Sequence, residues 1–235
     1  MNVRVVAMLL SLFLAIASSA SAEWIAELYG GGAFTTKTPA TITSSTGTTA
    51  SLQDLKVNSS GTVGGRVGYW FNDLHELGAI GIGLDVFRFN ADMDQQTVPA
   101  SSGNVTGTST IRPLNISVVG IGLDLLKVRL HLAKSEEFPQ GQFQPIFSVG
   151  PAIFKTSIDD TNNFTPNNQS RSDTSIGVKV GVGAHYLITS NVSLFGEYRF
   201  THFSSDVSFQ HLSTTQTLAA SFDTNHLIAG VSVHF

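Results

Sequence analysis

The sequence predicts an all-β protein, an eight-stranded antiparallel transmembrane β-barrel, and three observations lead to this fold class. Apolar residues recur at every second position in about eight segments, which is the period of a β-strand. Charged residues make up only 13% of the 235 residues, about half of the roughly 25% that is usual for soluble domains. Yet no run of about 20 apolar residues, the length of a transmembrane helix, follows residue 22. The third observation is that the links between the segments alternate long and short.

The first 22 residues are expected to be a signal peptide. Arg4 supplies the positive start, residues 5–16 form an apolar core too short to span a bilayer, and residues 20–22 form a small-x-small cleavage site. We therefore expect the mature chain to begin at Glu23, and residues 23–235 to form one barrel domain. The chain has no cysteine, so closed strand pairing rather than disulfides has to hold the domain together.

The period-two segments define eight predicted strands, with the bounds Trp24–Thr35, Val57–Phe71, Gly78–Ala91, Thr110–Leu132, Phe143–Thr156, Asp173–Ile188, Val192–Phe209 and Phe222–Phe235. The links between them fall into a long set, 36–56, 92–109, 157–172 and 210–221, and a shorter set, 72–77, 133–142 and 189–191. The long links are rich in Ser, Thr, Asn and Gly, and we interpret them as surface loops. Long and short links alternate, so all long links lie at one end of the barrel and both termini at the other. Outer-membrane barrels show this asymmetry of long extracellular loops and short periplasmic turns.

The alternation also predicts which face of each strand points to lipid. In the last predicted strand Leu227, Val231 and Phe235 share one face, and His226 and His234 lie on the other. In other strands the second face carries mostly Gly and charged residues. A water-exposed surface favours Lys and Glu over Gly, whereas Gly suits a crowded, narrow lumen. We therefore expect the apolar side chains to face outward, into lipid.

Aromatic residues cluster near the predicted strand ends, and we interpret them as two girdles at the membrane interfaces. The girdle at the short-link end would contain Trp24, Tyr69, Phe71, Tyr186 and Phe235, and the girdle at the long-link end Phe34, Phe154 and Phe200. The alternative is that Tyr and Phe simply favour strands.

Seven ionisable residues are predicted on the lumen face: Glu27, Arg66, Asp85, Asp124, Lys179, Glu197 and Arg199. Each lies several residues from the short-link end of its strand, so we expect them to gather at a similar depth. Four acids nearly balance three bases, and buried charges are tolerated when they are paired. The pattern favours a polar plug that fills and stiffens the barrel. The alternative is a gated ion path lined by the same residues, although an eight-stranded barrel is barely wide enough for its own side chains.

The sequence resembles the small outer-membrane barrels of the OmpA/OmpX type, in the broad outer membrane protein β-barrel domain group. The resemblance lies in three segments, residues 24–32, 194–200 and 228–235, and extends over the whole mature chain. The last segment looks like the C-terminal signal of that group, in which alternating apolar residues close on a Phe. The resemblance implies a place in the bacterial outer membrane, in contact with its lipid and lipopolysaccharide. It also implies that the barrel-assembly machinery recognises the C-terminal strand through Phe235.

His202, Ser204 and Asp206 share the lipid-facing side of the seventh predicted strand, near its long-link end. Histidine, serine and a carboxylate are the parts of a nucleophilic hydrolase. The placement resembles lipid A deacylases, small barrels with a His-x-Ser pair on the outer surface, although Ser205 stands where that family usually has Asn. An acid that orients the histidine would have to be Asp206 or Asp223. Residues two apart on a strand are separated by about 6.5–7 Å, so we expect ordinary polar residues that are catalytically silent.

The sequence therefore favours a non-enzymatic outer-membrane barrel for envelope integrity, adhesion or surface recognition, with an extracellular ligand at its loops. Polar loops on a rigid scaffold are where recognition usually lies. A lipid A deacylase using His202 and Ser204 is the alternative, and a narrow solute channel is the third. No metal or cofactor is expected, because the seven His are scattered and no helix follows the Gly-x-Gly runs. A net charge of −4 gives no basic surface for nucleic acid.

Overall fold

A computed structural model of the chain describes residues 23–73, 77–159, 170–211 and 214–235. The predicted signal peptide, residues 1–22, lies outside the described residues, as does most of the link between the fifth and sixth predicted strands. Within the described ranges, no helix is long and apolar enough to cross a membrane.

The described residues form twelve strands, and eight of them close into a ring. In chain order the strands are β1 (Glu23–Thr35), β2 (Thr38–Ser44), β3 (Thr49–Leu55), β4 (Ser60–Asp73), β5 (Gly78–Asn90), β6 (Gln96–Ser102), β7 (Val105–Ile111), β8 (Asn115–Leu130), β9 (Phe143–Asp159), β10 (Ser170–Thr189), β11 (Val192–His211) and β12 (Thr214–His234). The ring has the order β1-β4-β5-β8-β9-β10-β11-β12, and β12 pairs back with β1 from Ile25↔His234 to Thr35↔Thr224. The predicted eight-stranded antiparallel barrel is confirmed. Closure gives each ring strand a partner on both edges, which is what a strand needs in lipid.

The outer face of the ring is apolar, as the alternation predicted. Leu28, Ile176 and Leu227 are 75%, 79% and 58% exposed. Their neighbours Glu27 and Ile228 point inward and are buried. Large hydrophobic side chains are exposed in this way on all the ring strands, and an apolar band around the barrel is the surface that lipid requires.

Two of the long links are not irregular loops, so that part of the prediction was wrong. They form the hairpins β2–β3 and β6–β7, which extend the barrel wall: β12 pairs with β2, β2 with β3, β3 with β6, and β6 with β7. We call the four strands β2, β3, β6 and β7 the rim sheet. Its apolar side chains Ala40, Leu52 and Val98 are buried. The β6–β7 hairpin turns through two residues, and Gly103 has φ +56°, the positive value that the first central residue of a type II′ turn needs.

The predicted strand bounds shift mainly at the end that carries the rim sheet, which we call the rim end. Residues 110–111 belong to β7, so the fourth ring strand, β8, begins at Asn115 rather than Thr110. Strands β9 to β12 are 17, 20, 20 and 21 residues long, whereas about 9–11 residues cross a bilayer. These strands therefore project beyond the membrane, where β12 pairs with β2 of the rim sheet.

Candidate functional site

Arg66 on β4 lies at the centre of the lumen and contacts carboxylates from four other strands. Its guanidinium is 3.0 Å from Glu27 and 2.8 Å from Glu197. Asp85 and Asp124 lie 3.6 Å from it. All five side chains are buried. All five are residues that strand parity and depth along the strand predicted for the lumen.

The other two predicted cations complete the same cluster. Lys179 Nζ lies 2.7 Å from Asp85 and 2.9 Å from Asp124. The Arg199 guanidinium is 3.0 Å from Glu197 and 3.0 Å from Asp85. All seven predicted lumen residues thus meet, and their ion pairs cross the lumen between six of the eight ring strands.

Two further cations, Lys127 and Arg129, join the cluster and were missed by the sequence analysis. Lys127 Nζ is 3.3 Å from Glu27, and Arg129 pairs with Glu23. A register shift between Gly122 and Leu126 inverts the alternation of β8, so that even-numbered residues face inward before it and odd-numbered residues after it. The charges of Lys127 and Arg129 were the signal in the sequence, because charged side chains on the lipid face are costly, but unbroken alternation would have placed them on that face.

Glu23, the partner of Arg129, was also missed, and with all three additions the cluster is electrically balanced. We call it the charged layer; it has five acids, Glu23, Glu27, Asp85, Asp124 and Glu197, and five bases, Arg66, Lys127, Arg129, Lys179 and Arg199. Removing a charge from water is costly unless a partner of opposite sign compensates for it. A neutral, mutually paired layer meets this condition, which supports the polar plug rather than the ion path.

An aromatic layer lies between the charged layer and the rim sheet. Phe154 and Phe203 stack with their ring centroids 4.2 Å apart, and Phe203 stacks on Phe222 at 5.1 Å. Phe89 lies edge-on against His226 at 5.0 Å. Phe154 is fully buried in the lumen, so its assignment to the outer girdle was wrong: the side chain follows the inward parity of β9.

A cavity of about 230 Å³ lies above the aromatic layer, inside the wall that the rim sheet extends. Its walls include the apolar side chains of Ile42, Leu55, Ile116, Ile158, Val207 and Phe222. Along β11 the inward residues run in the order Arg199, Thr201, Phe203, Ser205 and Val207, from the charged layer to the cavity. The lumen is therefore charged in the middle, aromatic above and apolar at the rim end.

His202 and Ser204 lie on the outer face of β11, as predicted. His202 Nδ1 is 2.6 Å from Asp223 Oδ1 on β12, and both side chains are 47% exposed. Ser204 Oγ lies 2.9 Å from Ser221 Oγ. Asp206 shares the face, and its backbone amide donates to Asp173. Of the two acids considered, the one that contacts the histidine is thus Asp223.

Phe235 closes the C-terminal strand on the outer face, at the end of the barrel opposite the rim sheet. Its side chain is 67% exposed, and its backbone pairs with Trp24 through two hydrogen bonds of 2.8 and 3.0 Å. The side chain therefore adds little to packing within the chain. No group of three or more His, Cys, Asp or Glu that could hold a metal ion occurs in the described part of the chain.

Comparison with solved structures places the fold among small outer-membrane barrels. OprG from Pseudomonas aeruginosa matches with a TM-score of 0.53 and 14% identity over 92% of this chain and 96% of that chain. The outer membrane protease OmpT from Escherichia coli matches with a TM-score of 0.50 and 10% identity over 93% of this chain and 99% of that chain. Neisserial surface protein A matches with a TM-score of 0.45 and 16% identity over 92% of this chain and 100% of that chain. A comparison with curated proteins finds no match.

The family comparison covers almost the entire sequence. The model of the outer membrane protein beta-barrel domain matches residues 6–235. The closed ring and its apolar outer face are the features that this family needs in a bilayer. The chain therefore belongs to the outer membrane protein beta-barrel domain family, and its place is the lipid bilayer of the bacterial outer membrane.

Proposed function

We propose that this chain is a non-enzymatic surface-recognition protein that displays the rim sheet outside the cell. The observation that carries the proposal is that two long links form paired hairpins continuous with the barrel wall. A folded rim loses less conformational entropy on binding than a flexible loop does. Binding residues are commonly held in this way, on connections above a rigid scaffold.

The interior of the barrel supports recognition rather than transport. Ion pairs of the charged layer cross the lumen from six strands, and the aromatic layer lies directly above it. Arg66, Arg199, Lys127 and Lys179 are among the largest fully buried side chains. A solute would have to break several buried pairs to pass, each at considerable cost. We therefore rank a narrow solute channel below recognition.

The proposal includes the processing and partners of the chain. Residues 1–22 are removed as a signal peptide, and the barrel-assembly machinery recognises β12 through Phe235. Lipopolysaccharide surrounds the outward-facing end. The exposed side chain of Phe235 supports this role in assembly, because a recognition signal has to be accessible while the strand is still unpaired.

The test removes the β6–β7 hairpin. Cells without the gene receive either the full chain or a variant in which residues 96–111 are replaced by a four-residue turn. Adherence to immobilised glycans and surface proteins measures recognition, and growth on deoxycholate measures envelope integrity. We expect the replacement to abolish the adherence that the full chain confers and to leave growth on deoxycholate unchanged. Unchanged adherence, or an effect on deoxycholate growth alone, would contradict the proposal.

A second candidate function is hydrolysis of an acyl ester in outer-leaflet lipid. It is favoured by the 2.6 Å contact between His202 and Asp223, which would orient the imidazole as a base. Ser204, the candidate nucleophile, lies two residues along β11 on the same exposed face. Such a triad requires the Ser204 hydroxyl to leave Ser221 and lean toward the ring.

Lipid A mass spectrometry separates the two functions. The full chain is expressed in a host with fully acylated lipid A, and Ser204→Ala is compared with Ser208→Ala. Ser208 is the matched control, because its hydroxyl forms the same kind of cross-strand contact, 2.9 Å from Thr217. We expect no loss of an acyl chain with any of the three proteins. Loss that disappears in Ser204→Ala but persists in Ser208→Ala would establish the hydrolase instead.

A further inference from the structure

The cavity at the rim end is a preformed concave site that neither ion pairs nor stacked rings fill. It is partly open, and its volume is about 230 Å³. Residues from the rim sheet line one side, and residues from the ring strands line the other. Ala40, Leu52 and Leu55 on the rim sheet are buried against it. The cavity therefore depends on the folded hairpins and would be absent above a plain eight-stranded ring.

The volume and lining set the size and polarity of what can bind. An apolar protein cavity of about 150 Å³ takes up benzene, which has six carbons. By proportion, 230 Å³ accommodates about nine hydrocarbon carbons. Phe222 forms the bottom of the cavity and stacks on Phe203, which stacks on Phe154. The aromatic layer therefore sets the depth of the cavity. A ligand of this size would stay above the charged layer.

The charged part of the lining is cationic. Arg112 and Arg171 both line the cavity, Arg112 on the segment after β7 and Arg171 on β10. Arg112 is exposed, and among the described residues no acid forms an ion pair with it. The nearby acid Asp173 accepts hydrogen bonds from the Ser205 hydroxyl and the Asp206 amide. A guanidinium beside an apolar cavity matches a carboxylate or sulfate on a hydrocarbon chain.

We propose that this cavity binds a single-chain amphiphile with an anionic head, such as a medium-chain fatty acid. The chain occupies the apolar space between the rim sheet and Phe222, and Arg112 binds the head at the opening. The inference deepens the proposed function and rests on it, because it names a ligand class for the rim. Binding ends at the aromatic layer, so the site captures the ligand without passing it through the barrel.

The test measures binding of decanoate and of the uncharged decanol. Protein is purified from outer membranes, placed in phosphatidylcholine nanodiscs and titrated calorimetrically, with empty nanodiscs subtracted. Decanoate is expected to bind saturably, and Arg112→Gln to weaken it at least about tenfold, as for the loss of a hydrogen bond to a charged group. Decanol binding should not change in that variant. Arg88→Gln is the matched control, since Arg88 is exposed on the outer face of β5, away from the cavity lining.

A cavity-filling variant tests the location of the chain. Ala220 is buried and lines the cavity from β12, so Ala220→Phe should abolish binding of both ligands. If Ala220→Phe fails to fold, the decanoate affinity of Arg112→Gln alone tests the inference. Equal affinities for decanoate in wild type and Arg112→Gln, or decanoate binding by folded Ala220→Phe, would overturn the inference. Failure of decanoate to bind while the β6–β7 replacement still abolishes adherence would remove the ligand class and keep the recognition function.

Discussion

Replacing Arg66 with Met leaves the charged layer with one unbalanced carboxylate. The four acids that contact Arg66 would then share the three cations within reach of them: Lys127 beside Glu27, Arg199 beside Glu197 and Asp85, and Lys179 beside Asp85 and Asp124. Methionine fills much of the space of the arginine stem, so the change removes charge and hydrogen bonds more than volume.

The expected cost follows from that imbalance. Leaving one buried charge without a partner costs about 3–5 kcal/mol of the free energy of unfolding. Adding Glu197→Gln removes the negative charge 2.8 Å from the Arg66 guanidinium and restores neutrality. The double variant should therefore be more stable than the sum of the single effects predicts, by about 0.5–3 kcal/mol.

Urea unfolding of the purified protein in phosphatidylcholine vesicles measures these costs. Tryptophan fluorescence is a suitable signal, because the Trp70 indole lies 4.9 Å from Lys127 Nζ and 4.7 Å from the Arg129 guanidinium. Arg88→Met is the control: the same chemical change on the exposed face should shift stability by no more than about 0.5 kcal/mol. Arg66→Met unfolding at the same urea concentration as Arg88→Met would refute the account of the charged layer.

Two further predictions concern assembly and packing. Phe235→Ser should lower the amount of protein that reaches the outer membrane more than it lowers the urea midpoint of the assembled barrel, since the side chain is 67% exposed and packs little within the chain. Quantitative blotting of outer membranes checks this, and normal amounts in the membrane would contradict a role of Phe235 in assembly. Gly150→Ala should destabilise the barrel by about 1–3 kcal/mol, because an added Cβ would lie 1.7 Å from the Leu123 carbonyl oxygen. Gly196→Ala, whose Cβ would be 4.0 Å from its nearest neighbour, should be tolerated in the same unfolding experiment, and equal effects of the two alanines would contradict this explanation.

The ring and most of the charged layer could be predicted from the sequence, because alternation in a closed sheet fixes which side chains point inward. Glu27, Lys179 and Glu197 were assigned in this way, and each is buried in the lumen. The prediction failed at β8, where the register shift between Gly122 and Leu126 inverts the alternation. A bulge of this kind depends on both neighbouring strands, and the charges of Lys127 and Arg129 alone do not show where in β8 it lies.

The rim sheet could not be predicted, because its strands depend on their neighbours. β2, β3, β6 and β7 have seven residues each and few large apolar residues, so the apolar alternation that marks the ring strands is weak in them. β12 extends beyond the bilayer, and its residues 216–220 offer a free edge that β2 pairs with. The cavity could not be predicted for the same reason, since its walls come from strands far apart in sequence.

Accessibility of epitope tags on intact cells tests the central claim that the rim sheet faces outward. One tag is inserted after Gly103, in the turn between β6 and β7, and another after Asn72, at the opposite end of the barrel. Both proteins are first shown to resist SDS until heated, as a closed barrel should. We predict that antibody labels the Gly103 tag on intact cells and the Asn72 tag only after permeabilisation. Labelling of the Asn72 tag on intact cells, with the Gly103 tag hidden, would contradict the account.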